Sequence, residues 1–164
     1  MKKYKTEDLR NTCIVGGGST GKTQLAEAIL YTAKAIDRLG EVDSGNTVCD
    51  YNPDEIERKI SINSAIAFCE WKDKKINIID TPGYADFVGE VVGALSVVET
   101  SILNVCAVSG VEMGTEKSWE YVQKSKRPSI IFINRMDKEN AHFEKTLESL
   151  KGKLTPNVAP ISIP

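Results

Sequence analysis

Eight residues, Gly16-Gly17-Gly18-Ser19-Thr20-Gly21-Lys22-Thr23, fit the pattern G-x-x-x-x-G-K-[ST]. They stand between a short apolar run at 13–15 and a stretch where Leu25, Ile29, Ala33 and Ile36 recur at helical spacing. A strand that turns straight into a helix through glycines admits few folds. In such a turn the backbone amides curl around a phosphate at the helix N-terminus, where the helix dipole also favours negative charge. Lys22 then sets its ammonium against the β- and γ-phosphates, and Thr23 offers a hydroxyl to Mg²⁺. The expected nucleotide contacts are Gly16, Gly18, Ser19, Thr20, Gly21, Lys22 and Thr23, with Gln24 following them. A glycine-rich turn of no function is the bland alternative, and the flanking strand and helix argue against it.

The rest of the chain keeps the same alternation. Strands are predicted at 13–15, 60–71, 76–79, 102–108 and 129–133, three of them near-continuous apolar runs such as strands covered on both faces require. Between them Val88, Val91, Val92 and Leu95 mark one helix and Phe143, Leu147, Leu150 and Leu154 another. A helix around Trp119 and Val122 is expected to stop at Arg127-Pro128. With 164 residues, 41% of them hydrophobic, the chain is expected to be one α/β domain or most of one. The predicted class is a P-loop NTPase with a mostly parallel sheet and helices on both faces. Two stretches break the rhythm. Residues 40–59 form a long polar segment between a helix and a strand, the kind of loop usually kept for function. Residues 155–164 hold three prolines and read as a connector with at most one short strand, 158–163.

Composition excludes several classes. A net charge of −2 leaves no polybasic footprint for tight non-specific nucleic-acid binding by this chain alone. Four cysteines without a Cys-x-x-Cys pair, and a single histidine, His142, argue against structural zinc and for free thiols in a reducing compartment. The basic start is not followed by an apolar signal core, and no run of about 18 apolar residues offers a membrane span, so a cytoplasmic location is expected.

Two further motifs complete a site. Asp80-Thr81-Pro82-Gly83 follows an apolar strand, which places Asp80 at a carboxyl end, where sheets of this type bind ligands. Asp80 is expected to support Mg²⁺ and Gly83 to bring its N–H up to a γ-phosphate. Asn134-Arg135-Met136-Asp137 ends another strand and resembles the N-K-x-D motif of GTPases. The Asp137 carboxylate can accept from guanine N1–H and the 2-amino group, whereas adenine offers neither donor. Arg135 stands in place of the usual lysine, and its guanidinium plane can also stack on a base.

Taken in order, the three motifs resemble those of translation-type GTPases with a Ras-like core. The stretch Asp80-Thr81-Pro82-Gly83-Tyr84-Ala85-Asp86-Phe87-Val88-Gly89-Glu90-Val91 is similar to the D-T-P-G-H-x-D-F-x-x-E-V stretch of elongation factor G. Val108-Ser109-Gly110-Val111-Glu112 and Pro160-Ile161-Ser162-Ile163-Pro164 also look like that family. The resemblance implies a partial GTP-binding domain over 1–164, with the P-loop at 16–23, a first switch at about 40–62, a second switch at about 80–90 and the base-reading motif at 134–137. It also implies a longer family architecture beyond residue 164, so that the chain is expected to be a truncated piece.

The function so implied is binding of GTP or GDP with Mg²⁺ and, in a full-length protein, GTP hydrolysis on the ribosome during elongation. Glu57-Arg58-Lys59-Ile60-Ser61-Ile62 resembles the family's E-R-G-I-T-I string, so Ser61 joins Thr23 and Asp80 as an expected metal-side group, with Lys59 where the family has glycine. Tyr84 replaces the histidine that orients the attacking water, and Ser19 replaces the family's P-loop aspartate; this resembles the second, paralogous group of elongation-factor-G-like proteins. Lys22, Gly83 and Tyr84 are the expected catalytic positions. Other readings stay open: a guanine-nucleotide switch with little hydrolysis, a ribosomal protection protein, and a P-loop ATPase or small-molecule kinase in which 134–137 is accidental.

Overall fold

Leu9–Val15 (β1) turns into the glycine loop with Cys13, Ile14 and Val15 fully buried, because both faces of this central strand are covered. The computed structural model describes residues 2–164. β1 lies between two parallel neighbours, Lys74–Asp80 (β3) and Thr100–Cys106 (β4), and Ser129–Asn134 (β5) extends the sheet in parallel beyond β4. Ala65–Trp71 (β2) closes the other edge antiparallel to β3, giving the order β2-β3-β1-β4-β5. The two strands of that hairpin are joined by Lys72 and Asp73, both left-handed, as a two-residue turn matched to strand twist requires.

Lys22–Thr32 (α1) covers one face, packing Leu25, Ala26 and Leu30 on Ile14, Ile78, Ala65 and Ala67. Val88–Val97 (α3), Met113–Ser125 (α4) and Phe143–Lys153 (α5) cover the other, bringing Val91, Leu95, Val122 and Leu150 onto Cys13, Val15, Leu103 and Val105. The fold class read from the sequence is the one observed. Among the described residues, no helix is long and apolar enough to cross a membrane.

Several boundaries differ from those predicted. The strand expected from residue 60 begins at Ala65, because the Ile62 and Asn63 amides donate to Glu55 Oε1 (2.9 and 3.0 Å) instead of to a neighbouring strand. The strand expected to reach 108 stops at Cys106, whose carbonyl accepts from Gly110 N at 2.8 Å in a turn. Helix α1 ends at Thr32, although Ala33 and Ile36 beyond it still pack on the same cluster. Val92 faces outward, 49% exposed, since only Val91, Ala94 and Leu95 of α3 turn inward. No strand forms at 158–163; the chain there is irregular, and Val158 rests against the core.

The long polar segment contains a helix that periodicity could not show, Pro53–Arg58 (α2), with proline in its first turn. Glu55 Oε2 accepts from the backbone and side-chain nitrogens of Asn52 at 3.3 and 2.9 Å. Carboxylates of two other helices, Glu27 buried and Glu90 half-buried, fasten the rest of the segment. Glu27 of α1 accepts from Gly40 N (2.9 Å) and Val48 N (2.6 Å), and Glu90 of α3 accepts from Ser64 N (2.8 Å). Each replaces water on an otherwise orphaned amide by a charge-assisted bond.

Candidate functional site

The glycine loop, the end of β3, the end of β5 and the 40–61 segment enclose one cleft of about 770 Å³. Lys22 begins α1, and Gly21 before it takes φ 89°, a left-handed conformation; a Cβ there would fall 2.8 Å from the Asn134 amide nitrogen. The loop is drawn tight from within: Lys22 Nζ donates to Gly17 O at 2.9 Å and Thr20 Oγ1 to the same oxygen at 3.0 Å. Two asparagines hold it from the sheet. Asn104 Nδ2 donates to Thr20 O at 3.0 Å, and Asn134 Nδ2 donates to Thr20 O and Gly21 O at 3.3 and 3.1 Å. Burial lowers the Lys22 pKa to about 8, against the pull of Asp80 and Asp50.

Oxygen donors gather on one side of the loop. Thr23 Oγ1 lies 3.1 Å from Ser61 Oγ, so the 40–61 segment meets the first turn of α1 hydroxyl to hydroxyl. Asp80 is 2% exposed, and among the described residues neither carboxylate oxygen has a hydrogen-bond partner. Burial pushes its pKa up to about 7, countered by the Thr23 hydroxyl and the Lys22 ammonium. Asp50, which nothing in the sequence pattern singled out, is a second buried carboxylate with Oδ2 unpartnered. Its pKa too is raised by burial, with the Ser61 hydroxyl the main opposing influence. One carboxylate with both oxygens unpartnered and another with one, beside two hydroxyls, are a hard-oxygen set of the kind Mg²⁺ takes, usually with water and phosphate completing its shell. The residues present fit that ion.

In the turn after β3, Gly83 is packed against the loop so closely that a Cβ would fall 2.7 Å from both Gly17 O and Gly18 N and collide with Lys22 Nζ. Thr81 anchors this turn through its hydroxyl, which donates to Ile14 O at 2.7 Å. The Tyr84 ring lies against Gly18; a Cβ there would stand 3.2 Å from its Cζ. At the other end of the cleft Asn134 is occupied within the protein, its oxygen accepting from Arg135 N at 2.7 Å and its amide holding the loop. Asp137 is exposed, with Lys138 Nζ 3.6 Å from its Oδ2. Arg135 sits half-buried at φ 61° beside Gly21.

Gly18, Ser19, Gly21, Lys22, Thr23 and Gln24 line the cleft together with Ser61, Gly83, Tyr84, Asn134, Arg135 and Asp137. Gln24 also ties α1 to the polar segment, its amide donating to Gly40 O at 2.9 Å. Gly16, Thr20 and Asp80 stand behind this lining: Gly16 spaces the loop from Asn104 O, where a Cβ would come within 2.5 Å. Glu41, Asp43, Asp50, Lys59 and Lys138 line the cleft as well and were not picked out as contacts. They fall in, or next to, stretches whose charges look like an ordinary solvated surface until the chain is folded.

A P-loop, a D-x-x-G turn at the end of β3 and an N-R-x-D turn at the end of β5, all on one cleft of this sheet, define a P-loop GTPase domain. Residues 7–161 match the Elongation factor Tu GTP binding domain, and the chain belongs to that family. It is 44% identical over 158 residues to the elongation factor G of Thermotoga petrophila, covering 96% of this chain and 23% of that protein. It is 38% identical to the elongation factor G-like protein of Thermotoga maritima (96% and 22% covered) and 41% identical to the mitochondrial ribosome-releasing factor 2 of Candida dubliniensis (100% and 20%). A crystal structure of a Thermus thermophilus protein superposes with a TM-score of 0.85 at 33% identity, over 90% of this chain and 22% of that one. The chain thus spans about a fifth to a quarter of the length of these relatives, as a GTP-binding domain of the elongation-factor-G-like kind.

The buried Asp80 generates a pH prediction. Its folded pKa, about 7, lies above the ordinary aspartate value, so the folded chain binds the extra proton and stability from this group falls as pH rises between about 4 and about 7. Asp80→Asn removes that slope. In EDTA the variant is expected to be the more stable at pH 7.5 and to lose its advantage by pH 4.5, measured by urea unfolding; a pH-independent difference contradicts an ionised, unpartnered Asp80.

Proposed function

We propose that the cleft binds GTP and GDP with Mg²⁺ and that, in a full-length protein, it hydrolyses GTP on the ribosome during elongation, in the translocation step. The observation that carries this reading is the meeting of the P-loop, Asp80-Gly83 and Asn134-Asp137 on one cleft. Lys22 and the amides of Gly18 to Thr23 bind the phosphate chain, and Lys22 must exchange its bond to Gly17 O to do so. Thr23, Ser61 and Asp80 hold Mg²⁺, with Asp50 beside them; the ion supplies charge neutralisation at the β- and γ-phosphates. Gly83 presents its N–H to the γ-phosphate. Asp137 reads guanine, whereas Asn134 acts chiefly by fixing the loop, because its amide hydrogens are already used. The compartment proposed is the cytoplasm.

Asp137 faces two donors on guanine, and charge-assisted hydrogen bonds of about 1.5–3 kcal/mol each give a base preference of roughly a hundredfold or more. Asp137→Asn replaces an acceptor by a donor suited to the 2-carbonyl of xanthine. Titration calorimetry is expected to show the variant preferring XDP over GDP. A variant that keeps its preference for GDP removes Asp137 as base reader.

A second reading, a nucleotide-dependent switch with little hydrolysis, is favoured by Tyr84, whose ring rests on Gly18 where the family has a histidine. Tyr84→His is expected to leave the slow cleavage of the isolated domain unchanged and to raise single-turnover GTP cleavage of a full-length protein on ribosomes. A wild type already as fast as the His variant, with Tyr84→Phe slow, shows that the phenol, a donor and an acceptor, positions water itself.

A further inference from the structure

We propose that Lys59 is an additional phosphate-binding residue, a cation on the first switch that leaves Asp43 and takes the phosphate chain of the bound guanine nucleotide. This inference rests on the nucleotide reading of the cleft. Lys59 ends α2 at φ 56°, a left-handed conformation that is costly for a side chain and that glycine or asparagine would adopt freely. The family string that this stretch resembles has glycine there, so the lysine adds backbone strain where none is needed for the turn.

That lysine lies in the wall of the cleft. It is two residues from Ser61, whose hydroxyl touches Thr23 at the start of α1, so the ammonium is carried by a segment already docked on the phosphate loop. Its ion partner among the described residues is Asp43, at 3.9 Å, with the two side chains 54% and 90% exposed. A pair so long and so wet is held weakly and is readily exchanged for a better anion.

Charge balance supplies the last step. The same wall carries Glu41, Asp43 and Asp50, while the other cleft cations, Arg135 and Lys138, stand by the base-reading turn and leave Lys22 as the sole lysine of the phosphate loop. A polyphosphate entering beside these carboxylates meets Lys22 and, on the reading above, Mg²⁺; a further positive group offsets the charge that remains, and a cation supplied in cis is one known way of meeting it.

The test is calorimetric titration of the chain with Mg·GDP and with a non-hydrolysable GTP analogue. Lys59→Asn removes the charge and suits the left-handed backbone, so the variant folds and is at least as stable as wild type by urea unfolding. It is expected to weaken nucleotide binding about tenfold. Lys59→Arg is expected to stay within about threefold of wild type, and Asp43→Asn, which frees the lysine, to bind more tightly. Equal affinity of wild type and Lys59→Asn, or an Arg variant as weak as the Asn variant, overturns the proposal while leaving the site's guanine reading intact. Failure of the wild type to bind any guanine nucleotide overturns that reading, and this proposal with it.

Discussion

Lys22 is buried at the first turn of α1 with Asp80 and Asp50 buried in its field, and charges taken out of water in this way cost several kcal/mol each unless partners compensate. The compensation inside the protein is incomplete. Lys22 has Gly17 O, but among the described residues both Asp80 oxygens and one of Asp50 have no hydrogen-bond partner. Most of what surrounds the loop serves to hold these groups in place despite that cost: Asn104 and Asn134 pin its carbonyls, Thr81 pins the turn after β3, and Gly83 leaves no space between that turn and the loop. A site kept at a disadvantage when empty is one whose ligands contribute stability when they bind.

The polar segment at 40–61 is coupled to the same point. It touches the phosphate loop through the hydroxyl pair of Ser61 and Thr23, and behind that contact three carboxylates, from α1, α2 and α3, tie the segment's backbone amides down. These bonds reach the segment from helices before, within and after it in the chain, so its backbone is fixed at several points along its length.

Much of this was legible before folding because it is written in short, contiguous strings. The glycine run, Asp80-Thr81-Pro82-Gly83 and Asn134-Arg135-Met136-Asp137 each sit at the end of an apolar run, so both the alternating sheet and the cleft at the strand ends could be foreseen. What escaped was carried by single polar residues. Nothing in its surroundings marks Asp50 as buried, Glu55 looks like one more surface acid in a charged stretch, and α2 is too short to show a helical period. The bonds of Asn134 to the loop escaped for a related reason: the sequence shows an amide in a motif that resembles a base reader, but not that two loop carbonyls accept from it.

The central claim is that this cleft distinguishes guanine nucleotides by its end at Asp137 and grips them by its end at Lys22. Displacement of a fluorescent guanine nucleotide from the wild-type chain by GDP and by ADP, in Mg²⁺, measures that directly. The account predicts that GDP displaces the probe at a concentration about a hundredfold or more below that of ADP. Equal displacement by the two, with the probe still bound through its phosphates, would contradict it and leave a P-loop site with no guanine reader.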